Sequence, residues 1–503
     1  MSAQNTGNSF YSNPVIGGDL PDPSIIRVGD TYYATATTND FAPVYPVFES
    51  KDMVNWKQIS AVFMEPPTWT SKDFWAPELF YQNGTFYVYY TAKRRDTGVS
   101  CVGVATTKDI YKGFTDHGIL IEWGEEAIDG FVFRDDDNKL YISWKAYGLT
   151  QGREIELLCS EMSADGLSLM GEPFSLTDRS KNWEEEAGEG QVLLRRNDYY
   201  YLLYSAGGCC TNGCNYHVRV ARSKNLRSGW EQLKEPILQS GDFWRCTGHG
   251  TVVTTPDNRY FYLYHSYYAP DFEYIGREVL LDELFWNDTT GWPYFKNGVS
   301  STKSEMPVVG TRQQVTTTYF NDFSGTDNLN FWEWDVKQSK PEIQVEYGEL
   351  IITTPHDGLS FLGFRPEDGH YEFSSELIQT DEPAGIGIYS NPKNVVALLV
   401  SNSELKIIQL NNGEERTFLN QKIENVGSVH LKFEAIAGRY FQFFKSEDGK
   451  EWIPLKIGDA FQLDCDFMPQ WNHAPRAGFI GGGKKGTTSR FRNLSVQYLK
   501  DKF

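Results

Sequence analysis

The sequence predicts an all-β protein, a five-bladed β-propeller followed by a β-sandwich, and three observations predict it. A short strand, a tight turn and an aromatic-rich return strand recur five times at nearly constant spacing. The turns carry Gly, Asn or Asp, which tolerate the left-handed backbone of a hairpin. The composition, 15% aromatic with 45 glycines, favours many short strands, and no helix-period pattern of any length interrupts them.

The repeats align on Gly29-Asp-Thr-Tyr-Tyr33, Asn83-Gly-Thr-Phe-Tyr87, Asp137-Asn-Lys-Leu-Tyr141, Asn197-Asp-Tyr-Tyr-Tyr201 and Asp257-Asn-Arg-Tyr-Phe261, whose last residues lie 54, 54, 60 and 60 apart. Before the turns come short strands at 24–28, 79–81, 131–134, 191–195 and 251–254. Further turn signals follow each of the first four return strands, as in Ser50-Lys-Asp and Ser163-Ala-Asp-Gly166. A unit of 54 to 60 residues with about four strands matches a propeller blade, placing the propeller over roughly residues 10 to 305. A β-helix needs much shorter periods, and a long sandwich gives no reason for constant spacing. The chain turns polar over 311–319, so the domains are expected at 1–310 and 311–503. Beyond Phe320 the repeat gives way to alternating strands at 370–378, 385–389, 395–400, 404–410, 428–434, 440–445 and 491–498, a β-sandwich pattern. Trp332 and Trp334 there are expected to pack inside rather than to face sugar.

Composition excludes several classes of partner. With 47 basic and 67 acidic residues the net charge is −20, unfavourable for nucleic acid or an anionic membrane surface. No apolar run is long enough to span a membrane. The polar N-terminus has no apolar signal region, which implies a cytoplasmic protein, or a periplasmic or secreted one whose leader has been removed. Seven cysteines make a poor disulfide framework by count. The Cys209-Cys210-Thr-Asn-Gly-Cys214 cluster lacks a second half for a zinc site, leaving an adjacent-cysteine disulfide or plain thiols.

Function is read from the heads of the inner strands: Asp22, Glu78, Asp129, Glu189 and His249. Taken singly, such an acidic residue ordinarily caps a turn. Four carboxylates at one equivalent position of a propeller converge on its axis, where they shift each other's pKa values and can divide acid and base roles. Two carboxylates across a cleft point to glycosidic bond cleavage. Phe41, Phe74, Trp75 and Trp144 offer faces for sugar stacking, although such residues more often belong to a core. Metal-assisted hydrolysis is the chemical rival, because carboxylates with His249 could hold calcium.

These residues resemble the motifs of glycoside hydrolase family 43: Leu20-Pro-Asp-Pro-Ser24, Trp75-Ala-Pro-Glu78, Ile128-Asp-Gly130, Glu189-Gly190, Gly248-His-Gly250 and Gly276-Arg-Glu278. The resemblance implies Asp22 as general base, Glu189 as general acid and Asp129 as the group that tunes and orients the acid. It implies Arg277, Glu78, Trp75 and Phe41 as substrate contacts, and His249 as a contact for a calcium ion or water in the channel. No cofactor is required for the chemistry; a structural calcium is the candidate ion. Family members invert configuration, which needs carboxyls roughly 6.5–9.5 Å apart. The terminal sandwich resembles the accessory domain of exo-acting members. The expected function is release of terminal α-L-arabinofuranosyl groups from plant hemicellulose or pectin side chains, with β-xylosidase activity as the close alternative. A non-catalytic carbohydrate-binding propeller is the rival of another class. The loop 207–214 departs from the family's pattern and follows the return strand of the acid's repeat.

Overall fold

The computed structural model describes residues 10–124, 126–147, 155–176, 188–308, 317–325, 329, 331–401, 404–423 and 427–499. The chain forms two compact units, Met1–Ala269 with Arg277–Gln313, and Pro270–Gly276 with Gln314–Phe503. The segment Pro270–Gly276, which the repeat spacing puts in the first domain, groups with the second unit. Within the polar stretch 311–319 expected to separate the domains, residues 311–316 lie outside the described residues.

In the first unit each recurring sequence signal becomes an antiparallel group of strands. Ser24–Val28, Thr31–Thr35, Val44–Ser50 and Lys57–Phe63 form one sheet. Thr70–Gln82, Thr85–Arg94, Ser100–Thr107 and Thr115–Ile121 form the next group. A parallel pairing of Glu126 with Ser100 joins it to Glu126–Arg134, Leu140–Tyr147, Glu156–Met162 and Leu169–Ser175. Glu189–Arg196 and Trp244–Thr254 begin two more sheets of four strands each. The turn into every return strand contains a left-handed residue: Gly29, Asn83, Asn138, Asn197 or Asn258. These are the residue types on which the repeats align.

The core lies between neighbouring groups. Tyr89, Val102 and Val104 pack with Val132, Ile142 and Trp144, and Leu157 and Cys159 pack with Leu193, Leu202 and Tyr204. Ile25, Tyr32 and Phe48 of the first sheet share a cluster with Phe261, Leu263 and Leu281 of the last. Phe10–Ser12 pairs with Lys303–Glu305, so the unit's two ends are hydrogen-bonded to each other. Of the two alternatives for the cysteine cluster the adjacent disulfide is present, Cys209–Cys210, while the expectation of few disulfides needs correction for Cys214, which bonds Cys246; Cys101, Cys159 and Cys465 are free and buried. A count of cysteines does not register that Cys246, far along the chain, meets the loop 207–214.

In the second unit two antiparallel sheets enclose one apolar core. Phe373, Leu431, Phe433 and Phe491 of one sheet meet Ile386, Val396, Leu398 and Phe479 of the other. The seven expected strands are all present, and Glu342–Glu346, Glu349–Thr353, Ser360–Phe364, Glu414–Lys422 and Arg476–Gly481 are additional. Trp332 and Trp334 are buried. No helix among the described residues is long and apolar enough to cross a membrane.

Gly250 marks the tightest approach in the first unit's strands: a Cβ there would lie 2.0 Å from the Leu263 carbonyl oxygen and 2.6 Å from Tyr264 Cα. Gly213, in a loop, has nothing within 4 Å of its Cβ position. Gly250→Ala is expected to cost about 3 kcal/mol, the upper end for overpacking, and Gly213→Ala close to nothing, as read by urea denaturation.

Candidate active site

At or near the head of each first strand stands a left-handed residue, Asp22 (φ 54°), Ala76 (29°), Asp129 (59°), Gly190 (56°) or His249 (42°), with Asp73 and Cys246 as further ones upstream of Ala76 and His249. At the last four heads the ladder slips, between Trp75 and Glu78, Ile128 and Phe131, Glu189 and Val192, and Gly248 and Gly250. A bulge of this kind bends the strand and re-aims the side chains beside it. The expected equivalence of Asp22, Glu78, Asp129, Glu189 and His249 is therefore corrected. By backbone conformation the matching residues are 22, 76, 129, 190 and 249. Glu78 lies two residues further in, and Glu189 one residue ahead of its bulge. Residue types alone do not reveal where an extra residue enters a ladder.

A second ring, missed in the sequence reading, sits on the return strands. Thr37, Thr91, Lys145, Ser205 and His265 are spaced 54, 54, 60 and 60 apart, each four residues beyond the aligned aromatic. Each side chain reaches the head of the following repeat. Thr37 Oγ1 accepts from Ala76 N at 2.7 Å, and also donates to Asp22 Oδ2 at 2.8 Å. Thr91 Oγ1 accepts from Asp129 N at 3.0 Å and Ser205 Oγ from His249 N at 2.7 Å. His265 Nδ1 accepts from Asp22 N at 3.0 Å, linking the last repeat to the first. Lys145 differs: an ammonium accepts nothing. It donates to Glu189 Oε2 at 2.5 Å, and the Gly190 N–H turns instead to Asp129 Oδ2 at 3.1 Å.

The carboxylates have unlike surroundings. Asp22 Oδ1 lies 3.2 Å from Nδ1 of both His249 and His265 and 3.5 Å from Arg277 Nη1. Burial opposes its charge, but His249 and Arg277 hold the carboxyl well below its usual range. Burial drives His265 down to about 4, so its ring is neutral near pH 7, consistent with Nδ1 accepting the Asp22 N–H. Glu189 is also opposed by burial, yet Lys145 and His249, with the Tyr216 hydroxyl 2.7 Å from Oε1, hold it low. Burial pushes Asp129 up to about 6; His249 and Lys145 work against this and the Glu189 charge works with it. Glu78 accepts from Thr251 Oγ1 at 3.0 Å, and burial lifts it to about 8. It is half-buried by surface area; in a narrow channel a group can be reached by solvent and still be poorly hydrated.

Asp22, Ala76, Glu78, Asp129, Gly190 and His249 line one cavity open to solvent. Arg277 joins them through Asp22, and Glu189 through Gly190 and the Lys145 contact. Gly190 has no room for a side chain, since a Cβ would come within 2.6 Å of the His249 ring. Of the aromatic candidates only Trp75 is partly exposed, with Lys93 Nζ 5.7 Å from its ring centre. Phe41, Phe74 and Trp144 have no accessible surface, so the stacking role expected of them has no ring face to act through. Phe74 is held against Tyr45 and Trp144 against Trp123, both edge-on.

The calcium expectation meets a poor donor set. Among the described residues no three His, Cys, Asp or Glu side chains are grouped to hold a metal. His249 Nδ1 already faces Asp22, whereas calcium takes six to eight oxygens. The loop 207–214 is tied down by its disulfides, and two residues beyond Cys214 the chain delivers Tyr216 to Glu189.

Thr91→Val keeps the shape of the side chain and strands the buried Asp129 N–H. It is expected to destabilise by about 1–3 kcal/mol, measured by thermal or urea denaturation against wild type.

The chain is 28% identical over 309 residues to the extracellular exo-α-(1→5)-L-arabinofuranosidase ArbA of Cellvibrio japonicus, covering 55% of this chain and 86% of that protein. It is 27% identical over 518 residues to a β-xylosidase of Bacillus subtilis, covering 91% and 93%. Among solved structures, the GH43 BlXynB protein of Bacillus licheniformis superposes with a TM-score of 0.83 at 23% identity, over 97% of this chain and 100% of that one. A xylan β-1,4-xylosidase of Bacillus halodurans gives 0.83 at 21%, over 97% and 99%. The fold is accordingly all-β and propeller-type. The model of glycosyl hydrolases family 43 matches residues 11–293, more than half of the chain; the chain belongs to glycosyl hydrolase family 43.

Proposed function

We propose that this glycoside hydrolase is an inverting, exo-acting enzyme that removes terminal α-L-arabinofuranosyl groups from plant hemicellulose or pectin side chains. The observation that carries the reading is the unlike environment of three carboxylates at one site: Asp22 held ionised by His249 and Arg277, Asp129 pushed up by burial, and Glu189 held low by Lys145. Glu189 gives a proton to the glycosidic oxygen as the bond to the anomeric carbon breaks. Asp22 takes a proton from the water that attacks the opposite face. Asp22 then releases its proton to solvent, and Glu189 regains one, which restores the starting state. Arg277 keeps Asp22 ionised and extends toward the sugar. Trp75 offers its partly exposed ring at the mouth. In this reading the first unit is a five-bladed propeller, residues 1–310, and the second, 311–503, an accessory β-sandwich.

β-Xylosidase activity is the second reading. It is favoured by the relative named β-xylosidase that aligns over 91% of this chain. An arabinofuranosyl and a xylosyl unit present comparable hydroxyls to one pocket, and both reactions use the same carboxylates. A panel of aryl pentosides and hexosides ranks the two: higher kcat/KM on the arabinofuranoside supports the first reading, on the xyloside the second. Binding without release of the aryl group would support the carbohydrate-binding rival.

Asp22→Asn and Glu189→Gln are each expected to lower kcat on a pentosyl oligosaccharide by about 10²–10⁴-fold while circular dichroism shows the fold retained; near-normal turnover in either variant overturns its assigned role. Proton NMR of the reaction is expected to show the inverted anomer first, and a retained product rules out direct attack by water.

A further inference from the structure

Four places in the return-strand ring hold an acceptor for the next repeat's N–H, and one holds a donor. Lys145 is that donor. It stands opposite Ile128 in the ladder, beside Asp129, and its side chain is 5% exposed. Threonine fills the same place in the first two repeats, so the fold does not demand an ammonium there. Burying one is costly unless it is paired. Its partner is the carboxylate assigned as the acid, whose second oxygen accepts from Tyr216. Both oxygens of Glu189 are thus occupied by donors, and the displaced Gly190 N–H settles on Asp129.

We propose that Lys145 is a positioning residue for the acid: placed where the other repeats carry a capping acceptor, it holds Glu189 in the orientation from which a leaving oxygen is protonated. This rests on Glu189 being the acid. The groups acting on the pair are Lys145, His249 and Tyr216, with Asp22 across the cavity. Of these, Lys145 is the cation in direct contact with the carboxylate that must be protonated. The leaving oxygen competes with the ammonium for Oε2. As the ammonium gives way, protonated Glu189 passes its proton to the departing oxygen. Without the ammonium, Glu189 binds its proton more tightly and its orientation relaxes. Both effects fall on catalysis rather than on substrate binding.

The test is the pH dependence of kcat/KM for wild type, Lys145→Thr, Lys145→Met and Lys145→Arg, on a pentosyl oligosaccharide and on the p-nitrophenyl pentoside. Lys145→Thr, which restores the residue of the first two repeats, is expected to move the alkaline limb upward by about one pH unit. It should lower kcat on the oligosaccharide by about 10²-fold and leave KM nearly unchanged. The p-nitrophenyl substrate, whose leaving group departs without protonation, should lose far less. Lys145→Arg should keep the wild-type limb. Should the threonine variant fail to fold, the methionine and arginine variants carry the comparison. A limb that stays in place in the neutral variants, or an equal loss on both substrates, overturns the proposal. Glu189→Gln in parallel separates the two inferences: if it turns over the oligosaccharide normally the acid assignment fails, and if it is inactive while the neutral Lys145 variants keep the wild-type profile only the role of Lys145 fails.

Discussion

The first unit depends on one repeated constraint: a strand head that bulges into the left-handed region leaves a buried N–H, and the preceding repeat must cap it. Thr37, Thr91, Ser205 and His265 do so from equivalent places. An uncapped N–H in such a position costs free energy comparable to a lost hydrogen bond. The same bonds that hold neighbouring repeats together therefore also set where Asp22, Asp129 and His249 point. Structure and site are not separate layers here, because the backbone of each site residue is the structural joint.

The exception at the fourth head shows what this economy permits. Gly190, with no side chain, lets the His249 ring close over it, and its N–H serves Asp129 rather than a return-strand hydroxyl. That rearrangement brings two carboxylates within each other's electrostatic reach, which a uniform ring of caps would not do. Asp22 has instead three basic side chains around one oxygen. Unlike protonation in one cavity follows from these differences in neighbours, all of them side chains on two or three adjoining strands.

Much of this was legible in the sequence because repetition leaves a count. The turn residues Gly29, Asn83, Asn138, Asn197 and Asn258 fall where a hairpin needs a left-handed residue, and the spacing of the aromatic strands carried through to the strand groups. Of the five strand heads expected to converge, Asp22, Glu78, Asp129 and His249 line one cavity, Glu189 stands beside it, and the expected equivalence of the five does not hold. Glu78 and Glu189 look like partners of Asp22 by type, and only the register slips show that Ala76 and Gly190 hold the matching backbone. The caps were overlooked because threonine and serine in a strand carry no chemical alarm, although their spacing was identical to that of the aromatics. Aromaticity misled in the other direction: Phe41, Phe74 and Trp144 lie close to the heads in sequence and face the packing between strands. The pairing of Cys214 with Cys246 joins residues whose proximity exists only in the folded chain.

The pairing of Phe10–Ser12 with Lys303–Glu305 closes the first unit non-covalently, between its most distant parts in sequence. The seam so made runs through the site. Asp22 belongs to the first repeat, while His249, His265 and Arg277, which surround its carboxylate, belong to the last. Contacts of such long sequence separation are entropically the most expensive to form and come late in folding. Before that closure Asp22 would stand in water as an ordinary carboxylate; its burial and its basic neighbours arrive together, so the environment of this side chain is a property of the completed unit and of no part of it.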